Sequence, residues 1–322
     1  MKKIIAILMA CLFVLSFTTA FAESEKTLSI VCTTFPQYDW VRQILGDRVN
    51  DVDLTLLLDN GIDLHNYQPT AGDIIRIARC DLFIYTGGES DGWVDDVLAT
   101  AQNPRMKIVN LLASVEAKEE ETVEGMQEED HDHDEHDEHA HDEIEYDEHV
   151  WLSLRNAETL IETIANTLCE LDAANAPAYQ ENAANYIAQL SELDNQYKDV
   201  VANGQRTTIL FADRFPFRYL ADDYGLTYYA AFAGCSAETE ASFETIAFLA
   251  QKVDELQLPA VLTIEGANHA IAETAVASTQ AKNQVILTMN SIQSVTAKDA
   301  QNGESYLGIM ADNLNVLKEA LN

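Results

Sequence analysis

The stretch NAPAYQENAANYIAQLSELDNQYKDVV, residues 175–201, decides how the rest of the chain is read. Its apolar residues recur at spacings of three and four, the period of an α-helix with one buried stripe. At about 1.5 Å per residue it runs about 40 Å, longer than a single small lobe needs. It therefore reads as a rigid connector between two lobes; the alternative is a long packing helix inside one domain.

On both sides of this helix, short apolar runs alternate with helical patterns. Before it, LSIVCTTF (28–35), VDLTLLL (52–58), CDLFIYTGG (80–88) and MKIVNLL (106–112) read as strands. YDWVRQIL, GDIIRIAR, DGWVDDVLATA and LRNAETLIETIANTLCELDA read as helices. After it, TTILF (207–211), LTYYAAF, AVLTI (260–264) and QVILTM (284–289) are strands. Helices are expected in RFPFRYLADDYG, FETIAFLAQKVDELQ, NHAIAETAVASTQ and the closing SYLGIMADNLNVLKEAL. Alternation with apolar strands implies mostly parallel sheets covered on both faces. The expected fold class is α/β: two lobes, residues 23–172 and 204–322, joined by one long α-helix at 173–203.

The chain of 322 residues is 47% hydrophobic, enough for such cores. It opens with two lysines, an apolar run and Ala20-Phe21-Ala22, the pattern of a secretory signal peptide over residues 1–22. Leu8-Met9-Ala10-Cys11 loosely resembles a lipoprotein processing box, but cleavage there would leave LFVLSFTTAFA on the mature protein. An exported protein of the periplasm or cell envelope is expected, with a lipid anchor at Cys11 as the rival. The net charge of −35 argues against nucleic acid as a partner, since binding it requires clustered Lys and Arg. Much of that charge sits in residues 116–149, which hold 18 Asp or Glu and a single Lys. Cys32, Cys80, Cys169 and Cys235 show no C-x-x-C spacing; they read as small buried thiols or as two disulfides in any of three pairings.

In open α/β sheets, ligands bind beyond the carboxyl ends of the strands. That rule singles out His65 in GIDLHNYQPT and His149 in DEHVWLS in the first half. In the second half it singles out Asp213 in FADRFPF, Glu238 and Glu240 in CSAETEASF, Glu265 in TIEGANH and Asn290 in MNSIQSV. These loops are placed to converge on a cleft between the lobes, and imidazole with carboxylate suits a divalent transition metal, zinc most simply. Each residue has a structural alternative. Either histidine could be a surface group, Asp213 an N-cap, Glu240 a buried acceptor and Glu265 a buttress.

Taken together and in order, TTFPQYDW, GIDLHNYQPT, DLFIYTGGE, DEHVWLS, GCSAETEAS and ESYLGIMADNLNVLKEAL resemble the metal-specific solute-binding proteins of ABC importers, the zinc-uptake type. The resemblance covers essentially the whole mature chain. It implies two α/β lobes on a single long helix, one metal ion in the cleft, and His65 and His149 as ligands. It also implies a membrane permease and an ATPase as partners, with the carrier itself a monomer. The chain departs from the family where a third ligand, His or Glu, would fall on Arg214, whose guanidinium cannot coordinate a cation. Asn290 stands where manganese carriers have an aspartate. The shell must then be completed by another group: Asp213, Glu240, Glu265 or water.

The run HDHDEHDEHAHDE, residues 131–143, holds His131, His133, His136, His139 and His141. With almost no apolar residue to fix it, the acidic segment of about 116–147 is expected to be a disordered loop. Its imidazoles suit transient zinc capture as an accessory to the cleft, and such a loop is typical of the zinc-binding members of the resembled family. The expected function is an extracytoplasmic Zn²⁺ carrier, with Mn²⁺ as the alternative cargo. A secreted zinc hydrolase is the rival class, but no HExxH, G-x-S-x-G or nucleophile–base pair is present, so no enzyme is expected.

Overall fold

The computed structural model describes residues 27–127, 145–236, 240–266 and 268–322. The expected signal peptide, the five clustered histidines and Glu238 lie outside the described residues. In the first half, strands β1 (Ser29–Cys32), β2 (Asp53–Leu56), β3 (Leu82–Tyr85) and β4 (Lys107–Asn110) pair in parallel in the order β2-β1-β3-β4. In the second, β5 (Thr208–Phe215), β6 (Thr227–Ala233), β7 (Ala260–Ile264) and β8 (Val285–Met289) repeat the pattern as β6-β5-β7-β8, again all parallel. The chain is therefore a two-lobed α/β protein. Each order reverses direction beside its first strand, which places a ligand crevice at the carboxyl ends.

The helices of the first half are α1 (Phe35–Leu45), α2 (Ala71–Arg79), α3 (Val94–Leu98) and α4 (Leu154–Leu171). The connector is α5 (Ala176–Asn203), 28 residues long. Pro177 opens it, where a missing N–H costs nothing. Its buried Tyr179, Ala183, Tyr186, Leu190, Leu193 and Tyr197 are spaced alternately by four and three, one stripe along the axis. After it come α6 (Arg218–Tyr224), α7 (Phe243–Leu256), α8 (Ala270–Ser278), α9 (Ala297–Gln301) and α10 (Tyr306–Ala320).

The stripe on α5 is wedged between the lobes. Asn182 donates to the Ile44 carbonyl at 3.0 Å, on the first-lobe side, and the Tyr197 hydroxyl donates to the Met310 carbonyl of α10 at 2.7 Å. The closing helix completes the seam: the Tyr306 amide donates to Asp39 of α1, its hydroxyl donates to the Trp151 carbonyl, and its ring stands edge-on to Trp40. One continuous apolar core consequently runs through both lobes, with a smaller second core on the outer face of the second sheet. None of the described helices is long and apolar enough to cross a membrane.

Two expectations differ from what is observed. Strand β5 runs on to Phe215, four residues past the expected TTILF, with a register shift against β6 between Phe211 and Arg214. The helix expected from Arg214 begins only at Arg218, because Pro216 cannot extend the strand ladder and resets the chain direction. The acidic segment is also ordered at both ends. Glu119 bridges to Tyr146, the Lys118 amide donates to the Tyr219 hydroxyl, and the Gln127 amide donates to the Ala231 carbonyl. These contacts, with Val123 and Met126 packed into the core, fix the ends.

Candidate metal centre

His65 lies in a short 3₁₀ turn, Leu64–Asn66, in the loop after β2. Asp63 caps that turn by accepting the His65 amide at 3.1 Å, which aims the ring inward. His149 precedes the turn Val150–Leu152, and its amide donates to Asp147 at 2.8 Å. The two rings meet with their Nε2 atoms 3.3 Å apart. Two imidazoles bound to one tetrahedral zinc at about 2.0–2.1 Å place their nitrogens about 3.3–3.4 Å apart. The pair thus already stands at the edge length of such a site.

The far side of each ring is occupied. His149 Nδ1 lies 3.0 Å from Asp147 Oδ1, so a proton on Nδ1 donates there and leaves Nε2 facing the cleft. His65 Nδ1 lies 2.8 Å from Ser90 Oγ and 3.5 Å from Glu148 Oε2, with the same consequence. Ser90 and Glu148 are joined in turn, since Glu148 Oε1 accepts the Ser90 amide at 2.8 Å. Glu148 Oε2 is buried without a hydrogen bond. Gly88 makes this packing possible: its φ is +86°, and a Cβ there would overlap the Glu148 carboxylate.

Burial opposes charge on both rings, yet they titrate apart. Burial and the neighbouring His149 push His65 down to about 3. For His149, burial is outweighed by the charge and hydrogen bond of Asp147, with Glu148 and Glu120 adding, so its pKa is raised above the ordinary histidine value. His149 therefore holds a proton more tightly than an ordinary histidine, and a cation held between the rings would have to displace it. Burial also pushes Glu148 up to about 7.

Among the described residues, the one grouping of His, Cys, Asp or Glu close enough to hold an ion joins these two histidines with Cys235, their donor atoms all within 4.8 Å of one another. The carboxylates favoured from sequence are elsewhere. Asp213 accepts the Arg214 amide at 2.9 Å and the Ile264 amide at 3.2 Å, tying β5 to β7 rather than capping a helix. Glu265 accepts both the amide and the hydroxyl of Ser291, at 2.6 and 2.7 Å, and buttresses the loop after β8. Asn290 shapes that same loop by accepting the Ile292 amide at 2.7 Å. Glu240 is exposed beyond the end of β6. Asp213, Glu265 and Asn290 are thus held as acceptors of backbone amides, whereas Glu240 contributes only its carbonyl, which accepts from Gln127 Nε2.

The scattered cysteines carry no pairing signal, and Cys32, Cys80, Cys169 and Cys235 are all free thiols. The usable signal was position, directly after the carboxyl end of β6 in AAFAGCS. Arg214, at the place of the resembled family's third ligand, donates to Asp63 at 2.6 Å and to the Ser236 carbonyl at 3.2 Å. It thereby ties the His65 turn to the Cys235 turn across the lobes.

Comparison with known proteins agrees with this architecture. Residues 30–320 match the model of the family described as zinc-uptake complex component A, periplasmic. The chain is 31% identical over 308 residues to the high-affinity zinc uptake system protein ZnuA of Bacillus subtilis, covering 95% of this chain and 92% of that protein. It is 30% identical over 320 residues to the zinc-binding lipoprotein AdcA of Streptococcus pneumoniae, covering 99% of this chain but spanning only 61% of the relative's length. The crystal structure of the Zn(II)-bound ZnuA-like domain of that AdcA superposes with a TM-score of 0.72 at 27% identity, covering 92% of this chain and 99% of that one. With the fold, the paired histidines and a family match over nearly the whole chain in agreement, this protein belongs to the zinc-uptake complex component A family.

Proposed function

We infer that the protein is an extracytoplasmic carrier that holds Zn²⁺ between His65 and His149 and hands it to the permease of an ATP-driven importer. The observation that carries this is the pair of Nε2 atoms 3.3 Å apart, each ring oriented from behind by an oxygen that accepts from its Nδ1. The same chemistry is named in its relatives, a zinc uptake protein and a zinc-binding lipoprotein. The leader at residues 1–22, or an anchor at Cys11, would place it outside the membrane. Acting as a monomeric carrier, it performs no bond-making chemistry. In this reading His131, His133, His136, His139 and His141 form an accessory collector whose acidic neighbours concentrate cations near the cleft.

Uptake in cells lacking the native chain tests this. Under chelator starvation, the wild-type protein should restore zinc accumulation, and a His65→Ala, His149→Ala variant exported at equal level should not. Full restoration by the double variant would exclude the pair as the delivery site.

A further inference from the structure

We propose that Cys235 supplies a thiolate as the third protein ligand, making the centre a His₂Cys site that prefers soft, thiophilic cations and disfavours Mn²⁺. This rests on the carrier reading and names the ligand set that the family pattern leaves open at Arg214.

The geometry assembles the third donor from the opposite lobe. His65 and His149 come from the first half, whereas Cys235 sits just past the end of β6 in the second sheet, so one ion bound by all three would span the cleft. The Cys235 turn is pinned on three sides. Its own amide donates to Glu120 Oε1 at 2.8 Å. The next carbonyl, that of Ser236, accepts from Arg214. The preceding residue, Gly234, lies so close to the end of β5 that a Cβ would stand 2.8 Å from the Phe215 carbonyl oxygen and 3.3 Å from His149 Nδ1. A glycine permits this approach, and the approach brings the sulfur to the histidines.

Arg214 gains a role from the same contacts. A guanidinium cannot ligate, but its two ends hold Asp63, which caps the His65 turn, and Ser236, next to Cys235. The residue in the family's ligand position therefore positions the turns on which two of the three donors sit. Charge also closes: two neutral imidazoles and one thiolate leave a divalent ion with one positive charge, which faces Asp147, Glu148 and Glu120. Coordination forms the sulfur–metal bond and releases the thiol proton to solvent. Thiolate and imidazole together favour zinc and cobalt, whereas manganese prefers oxygen donors.

Cobalt substitution tests the bond directly. Co²⁺ added to the metal-free full-length chain should produce the near-ultraviolet sulfur-to-cobalt charge-transfer band. Cys235→Ser should lose that band while binding more weakly, and its preference for Zn²⁺ over Mn²⁺ should narrow by roughly tenfold or more. Because the variant could misfold, iodoacetamide labelling of the wild type supplies a second measurement: stoichiometric Zn²⁺ should slow alkylation of Cys235 and leave Cys169 unchanged. Stoichiometric Co²⁺ binding by the wild type without the band, or a band retained in Cys235→Ser, would overturn the thiolate and leave the carrier intact. Failure of the wild type to bind Co²⁺ or Zn²⁺ at all would overturn both.

Discussion

Glu148 carries a buried carboxylate oxygen with no hydrogen bond, 3.5 Å from His65 Nδ1. Its folded pKa, raised by burial to about 7, means the folded state binds the proton more tightly than the unfolded chain. The resulting destabilisation is absent below the ordinary glutamate pKa and complete above the folded one. Glu148→Gln should therefore stabilise the metal-free protein at pH 8 by about 1–3 kcal/mol, with the gain vanishing near pH 4.5, as read by denaturant unfolding. The same variant should weaken zinc by roughly tenfold, since it removes negative charge beside a ligand. His149 predicts a second pH effect. Its raised pKa lets a proton compete for Nε2 from above the ordinary histidine value downward, so zinc affinity should be full at pH 8 and fall through pH 6, measured by chelator competition. An affinity unchanged between those values would contradict proton competition at His149. At this scale the two histidines that meet in the cleft were legible as site candidates, from their places after a strand and before a helix together with the family resemblance. Cys235 was not, and neither was the fate of Asp213 and Glu265. A carboxylate that binds a metal and one that accepts backbone amides are the same letter, and only the direction of the Ile264 and Ser291 amides separates them.

The elements act by bringing turns from distant parts of the chain into contact. At the site, Gly88 and Gly234 allow two close approaches, the first against Glu148 and the second against the end of β5. Gly234→Ala should push the Cys235 turn outward, costing about 1–3 kcal/mol of stability by overpacking, and should weaken zinc. A thermal melt and a zinc titration on one sample check both; an unchanged titration would mean that the turn adjusts without moving the sulfur. The strands and helices were legible in kind, since buried parallel strands are short apolar runs bounded by helical periodicity. The boundary that failed was at Arg214. The segment RFPFRYLADDYG suits a helix by composition, but pairing with β6 extends β5 through Phe215, and tertiary pairing prevails over local preference. The strand end is where Arg214 reaches Asp63.

Across the whole molecule, the two sheets share one strand order and are bridged by a 28-residue helix whose buried stripe is continuous with both cores. A seam built from Trp40, Asp39, Tyr186 and Tyr306 leaves little freedom for the lobes to swing about α5. Release of the ion should therefore come from the cleft turns rather than from wide opening. Hydrogen exchange on adding zinc should show new protection at residues 61–67, 145–150 and 232–236, with α5 unchanged; protection spread evenly along α5 would indicate a hinge there. This layout was legible from the length and period of residues 175–201, whereas the seam was not, because Tyr306 and Asp39 are 267 residues apart. The most direct test of the central claim is competition calorimetry with Zn²⁺ on three full-length forms: wild type, His65→Ala with His149→Ala, and a deletion of residues 128–144. The account predicts one tight site that survives the deletion and disappears in the double variant. Tight binding that instead persists in the double variant and is lost with residues 128–144 would place the site in the histidine run and contradict it.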